Sequence, residues 1–265
     1  MEKPLKDNER KTEVIQNLVK GGAEIAGSAV GAALGFLAAG PVGAVVLGAG
    51  GALAAMALKQ IGQEVSERFL SQRERIRVGG VIAIAASEIS KRIDKGLDLR
   101  NDGFFESCCG NRSDAEEVVE SVLLKSQREP EEKKIVYMGY LIANIAFDTN
   151  ISASMAHQIT KAAEGLTYRQ LCILKLAVVK SAFQLRQGDY RGQGSFPKEL
   201  YQILYECVDL YHKGFINFGG SVAFGPTDVN PGGMTVQGLG ADVFNLMSLS
   251  KIPDQDLTSI AMMLR

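Results

Sequence analysis

The chain has 265 residues and a formal net charge of −1, with 29 Lys+Arg against 30 Asp+Glu. Its 46% hydrophobic and 22% charged residues suffice for a buried core, which excludes wholesale disorder, and the even charge excludes a globally basic nucleic-acid binder. The 29 glycines are unevenly placed: ten lie between Gly21 and Gly51 and eight between Gly214 and Gly240.

Residues 1–24 mix five acids with five bases, unlike the short positive start of a secretory signal. From Ile25 to Leu58 run 34 residues without an ionisable side chain. A membrane span needs about 20 such residues. The stretch is rich in small residues, with eight Gly and twelve Ala beside twelve bulky apolar side chains, so insertion is expected to be marginal. Two geometries fit: a single tilted span, or a helical hairpin turning at Gly40-Pro41, where proline lacks an N–H and disfavours helix just before it. The hairpin arms, Ile25–Ala39 and Val42–Leu58, would reach roughly 22–26 Å, short of a hydrocarbon core of about 30 Å.

Small residues recur at helical spacing in both arms: Gly27, Gly31 and Gly35 in the first, Ala44, Gly48 and Ala52 in the second. Such stripes let helix backbones approach closely in an apolar setting, and the pattern resembles the glycine zippers of self-associating membrane helices. Lys59, Arg68, Arg73, Arg75 and Arg77 follow, against three acids. That net of +2 marks the cytoplasmic side of a span and suits anionic lipid headgroups. The expectation is a cytoplasmic protein associated with an inner membrane, with lipid and further copies of itself as partners and room for a sensor or regulatory protein.

Gln63 to Lys95 reads as helix, with Gly79-Gly80 as a candidate kink or break. Residues 97–113 read as a loop whose Phe104-Phe105 pair tucks onto the body. Ser113 with Glu116 forms a capping-box pattern ahead of a helix to about Arg128. Pro130 opens a helix to about Asp148, and Ser152 one ending at Gly165. Asp114, Glu116, Glu117 and Glu120 read as a solvated acidic face.

Leu166-Thr167 opens a helix to about Arg186, with Leu171, Leu174, Ala177, Val178 and Phe183 inward. Ser195 and Pro197 begin another, through His212. Gly214–Phe218 and Met234–Val236 read as a hairpin around a Gly/Pro-rich loop, followed by helices near Gly240–Leu249 and after Pro253. This order looks like a winged helix. The segment Leu210-Tyr211-His212-Lys213-Gly214-Phe215-Ile216, with Thr235, Gly238, Gly240 and Phe244 beyond it, resembles the C-terminal part of Abi-alpha, an abortive-infection family of bacterial antiphage proteins. The resemblance covers about residues 130–250 and brings no catalytic signature with it.

The fold class is therefore mainly α: a Gly/Ala-rich apolar helical hairpin, a helical bundle and a winged-helix-like module with a small β-hairpin. The expected divisions are residues 1–62 (an N-terminal helix and the hairpin), 63–165 and 166–265. Residues 166–265 hold nine bases and eight acids, with Glu199, Glu206 and Asp209 on the would-be recognition helix, which argues against nucleic acid. Cys108, Cys109, Cys172 and Cys207 show neither metal-ligand spacing nor a disulfide framework, and Cys172 and Cys207 read as buried apolar residues. No nucleophile, phosphate-loop or dinucleotide motif occurs, and Gly219-Gly220 and Gly232-Gly233 read as turns, so neither enzyme activity nor a cofactor is expected. The leading reading is an antiphage effector that inserts its hairpin and permeabilises the membrane. Its rivals are a soluble oligomerising scaffold and a membrane-tethered winged-helix DNA binder.

Overall fold

A computed structural model of the protein describes residues 51–68, 70–107, 111–220 and 222–265. These residues are mainly helical with one two-stranded antiparallel sheet. The chain divides into two compact units between Gly165 and Leu166.

In the first unit, α1 spans Ala52–Glu67. Ala54, Ala57, Leu58, Ile61 and Val65, spaced by three and four, are all buried. They pack α1 on α3 (Asp114–Arg128) and α2 (Gln72–Asp94). The expected division after residue 62 falls inside α1. The helical face carried by Ala54 to Leu58 continues through Ile61 and Val65, which leaves no reason for the chain to break there.

The helix expected over Gln63–Lys95 is two helices. Arg68 and Ser71 are extended, and Ser71 N-caps α2: its hydroxyl accepts from Glu74 N at 3.4 Å, while the Glu74 carboxylate accepts from Ser71 N at 2.6 Å. The break thus lies at a Ser-x-x-Glu capping box. Gly79 and Gly80 sit inside the helix, where they are buried. Gly80 packs closely against α4 (Glu132–Ile145). A Cβ at Gly80 would come 3.3 Å from Ile135 Cγ2, and one at Gly139 only 2.6 Å from Ile84 Cβ. From Val78 to Ile89 every residue of α2 is buried, as befits the central helix of a bundle.

Ser113 and Glu116 form the expected capping box of α3, which buries Val118, Val119, Val122 and Leu123. The preceding loop is pinned by Arg100. Its guanidinium donates to the Ile145 and Ile151 carbonyls at 3.3 and 2.8 Å and lies 4.1 Å over the buried Phe104 ring. The acidic stretch is only partly a solvated face. Asp114 and Glu117 are exposed, but Glu116 is buried in its cap and Glu120 is ion-paired. Lys134 on α4 is buried, paired with the buried Glu129, and donates to the Glu164 carbonyl that ends α5 (Ala153–Glu164).

In the second unit, α6 spans Tyr168–Val179 behind a Thr167–Gln170 capping box. It is shorter than expected. After a 3-10 turn at Lys180–Ala182 the chain extends, because Arg186 is held on both sides: its N–H donates to the Leu264 carbonyl and its carbonyl accepts from Gly232 N. Val178, expected inside, is 48% exposed, whereas Leu171, Leu174 and Ala177 are buried. The next helix, α7, spans Lys198–His212. β1 (Ile216–Phe218) and β2 (Met234–Val236) pair antiparallel with Asn217 opposite Thr235. α8 (Gly238–Leu246) and α9 (Asp254–Met263) complete the unit. α8 begins hard against the entry to β1. The Phe215 carbonyl accepts from Gln237 N, and a Cβ at Gly240 would lie 2.2 Å from that oxygen.

Candidate functional site

Of the expected hairpin positions, Gly27, Gly31, Gly35, Gly40, Pro41, Ala44 and Gly48 lie outside the described residues, as do Cys108 and Cys109. Ala52 is described: it opens α1 and is exposed. Ala52–Leu58, the last seven residues of the uncharged stretch, form the start of α1. Transfer of Leu58, Ile61 and Val65 from water into this interface contributes roughly 5–9 kcal/mol. The end of the stretch is therefore an anchored helix of the first unit. Among the described residues no helix is long and apolar enough to cross a membrane.

The five basic flank residues divide into two sorts. Lys59, Arg73 and Arg75 are exposed. Arg68 donates to Glu120 at 2.5 Å, and Arg77 to the Gln127 carbonyl at 3.2 Å, so both are engaged with α3. Glu120 also takes Arg112, which bridges to Glu64 on α1. This chain of charges, Glu64–Arg112–Glu120–Arg68, ties both ends of the second half of α1 to α3. Its pairs are partly exposed, so each contributes modestly and is weakened by salt. The pairings of Arg112 with Glu64 and of Glu120 with Arg68 were not signalled by the sequence, because they join residues 48 and 52 apart.

Glu74 sits where α2 starts. Hydrogen bonds from the Gln127 amide, then from Ser71, hold its carboxyl down at about 2, with help from the Arg77 charge. This ties the α2 cap to the end of α3. Beside it a groove of about 390 Å³ runs along α3, flanked by Arg68 and Glu164. A second cavity, between α1, α3 and the Phe104-Phe105 loop, is apolar and only about 20 Å³. That is room for one water and far below a ligand pocket.

In the second unit two of the three acids of α7 are turned to structural use. Glu206 receives a bidentate pair from Arg169 at 2.7 Å, and Asp209 receives Gln170 and Lys213, each at 2.6 Å. Cys172 and Cys207 are buried and free of disulfides, and burial pushes the Cys207 thiol up to about 12. The glycine pairs are spent on the fold. Gly219 and Gly220 have left-handed φ of 70° and 89°, Gly219 N donates to Asn217, and Gly233 N donates to Asn230. Among the described residues no group of three His, Cys, Asp or Glu side chains is placed to hold a metal. No protein-family model, curated protein or solved structure matches the chain.

Proposed function

We propose that the protein is a membrane-active effector of bacterial antiphage defence, of the abortive-infection type, whose uncharged segment enters and permeabilises the inner membrane. The observation that carries this reading is the 34-residue uncharged stretch with its small-residue stripes. The resemblance of the C-terminal half to Abi-alpha supplies the antiphage setting. The unit 166–265, with its β1–β2 ribbon beside α6 and α7, serves as a winged-helix-like module for protein interaction.

Docking of α1 sharpens how insertion proceeds. If α1 stays in place, the second hairpin arm keeps only residues 42–51, about 15 Å of helix. That is half a hydrocarbon core. Insertion as a hairpin therefore requires α1 to leave α3, whereas a single tilted span can draw on residues 25–51 with α1 docked. Induced expression with a membrane-potential dye tests the reading. Depolarisation and growth arrest are expected, and Gly31→Leu, which blocks close helix approach, is expected to abolish both. Unchanged polarisation on wild-type expression overturns it.

One observation favours a second reading, a soluble scaffold or oligomerising subunit that packs its Gly/Ala segment against protein, be it copies of itself or a partner: the burial of Ala54, Ala57 and Leu58 in a protein core. Complete release from membranes in carbonate selects that reading.

A further inference from the structure

The groove on α3 is built like an anion site. Ser121, Leu124, Lys125 and Arg128 line it at positions i, i+3, i+4 and i+7, one stripe of the helix. Gln127, Arg68 and Glu164 complete its lining, which holds three cations against one carboxylate. Two of the cations are ion-paired, Arg68 with the half-buried Glu120 and Lys125 with Glu164, which is 45% exposed. Arg128 is exposed and forms no ion pair with any described residue. At about 390 Å³ the groove has space for a phosphate group with its ester substituent.

We infer that this groove binds a phosphate group. Arg128 offers a planar fork of donors that matches phosphate oxygens, Lys125 a compact charge that can exchange Glu164 for a stronger anion, and Ser121 a hydroxyl donor. Leu124 gives the floor an apolar patch suited to the carbon skeleton of a phosphate ester. The same chemistry is offered by an anionic lipid headgroup and by free phosphate. Binding does not require the uncharged segment to enter a bilayer, so this inference and the effector reading fail separately.

The test uses the full chain. Co-sedimentation with phosphatidylglycerol/phosphatidylcholine vesicles is compared with phosphatidylcholine alone, and thermal melting in inorganic phosphate with melting in chloride of equal ionic strength. Lys125→Gln and Arg128→Gln are each expected to weaken the anion-dependent part about fivefold, whereas Lys161→Gln, an exposed lysine on α5 outside the groove, leaves it unchanged. Loss of the phosphatidylglycerol preference alone assigns the lipid source, and loss of the phosphate shift alone assigns free phosphate. Three results overturn the inference: no anion dependence in the wild type, no effect of either groove variant, or an equal effect of Lys161→Gln. Gly31→Leu is expected to keep the groove's anion response while losing depolarisation.

Discussion

Single residues settle where α2 begins and how strongly it is held. Ser71 and Glu74 close a capping box, and Gln127 of α3 shares the same carboxylate. Because these hydrogen bonds favour the ionised form, Glu74 titrates at about 2 in the folded protein against 4.5 ordinarily. A depressed carboxyl stabilises the fold fully above its unfolded value, and that contribution fades as pH falls through the folded one. The urea-unfolding free energies of wild type and Glu74→Gln are thus expected to differ by a constant amount above pH 4.5 and to converge on approach to about pH 2. A gap that persists unchanged to pH 2 would contradict the assignment. The Ser71-x-x-Glu74 pattern was legible in the sequence in the same way as Ser113-x-x-Glu116. The reading of Gln63–Lys95 as helix passed over it. The partnership with Gln127 was not legible, since it joins residues 53 apart.

At the scale of elements, the closeness of α2 and α4 rests on glycine. Gly79-Gly80 read as a kink or break, yet the helix passes through them because tertiary burial outweighs a propensity cost of about 1 kcal/mol per glycine. The two sides of the crossing differ in tightness. Gly80→Ala brings its methyl 3.3 Å from Ile135 Cγ2, which calls for a shift of only a few tenths of an ångström, so the gain in helix propensity offsets the contact and stability is expected to stay within about 1 kcal/mol of wild type. Gly139→Ala places a methyl 2.6 Å from Ile84 Cβ, an atom fixed to the backbone, so the helices must separate. A net loss of about 1–3 kcal/mol is expected despite the better propensity, measured by denaturant unfolding of the two variants side by side. Equal effects of the two substitutions would refute this account. In the second unit Gly240 plays the same part against the Phe215 carbonyl. That contact joins residues 210–216 to residues 235–244.

For the molecule as a whole, the division between Gly165 and Leu166 separates two cores. The second contains Leu171, Leu174, Leu204, Ile216, Phe218, Met234 and Leu257, each 0–1% exposed. A fragment of residues 166–265 is therefore expected to fold alone, giving one cooperative thermal transition by circular dichroism. A non-cooperative melt of the fragment would show that its core is incomplete. The first unit has a different role, since it receives the end of the uncharged stretch. Whatever residues 25–51 do, they do it from a helix held by an apolar face and by the Glu64–Arg112–Glu120–Arg68 chain of charges.

The sequence by itself determined the mainly helical class, the helix starts at Ser113, Ser152, Thr167 and Pro197, the pairing of the two short strands, and the 34-residue uncharged stretch. These are written in local signals: caps, apolar periodicity and turn glycines, each read within a few residues. Only the tertiary structure decided that Ala52–Leu58 belong to a docked helix, that Arg68 and Arg77 are spent on α3, and that Lys125 and Arg128 share a groove with a residue of α5. Each of these depends on partners 30 to 60 residues away. Helical periodicity says which face of a segment is apolar, but the partner that buries that face, or pairs with its charges, is chosen by how the whole bundle closes.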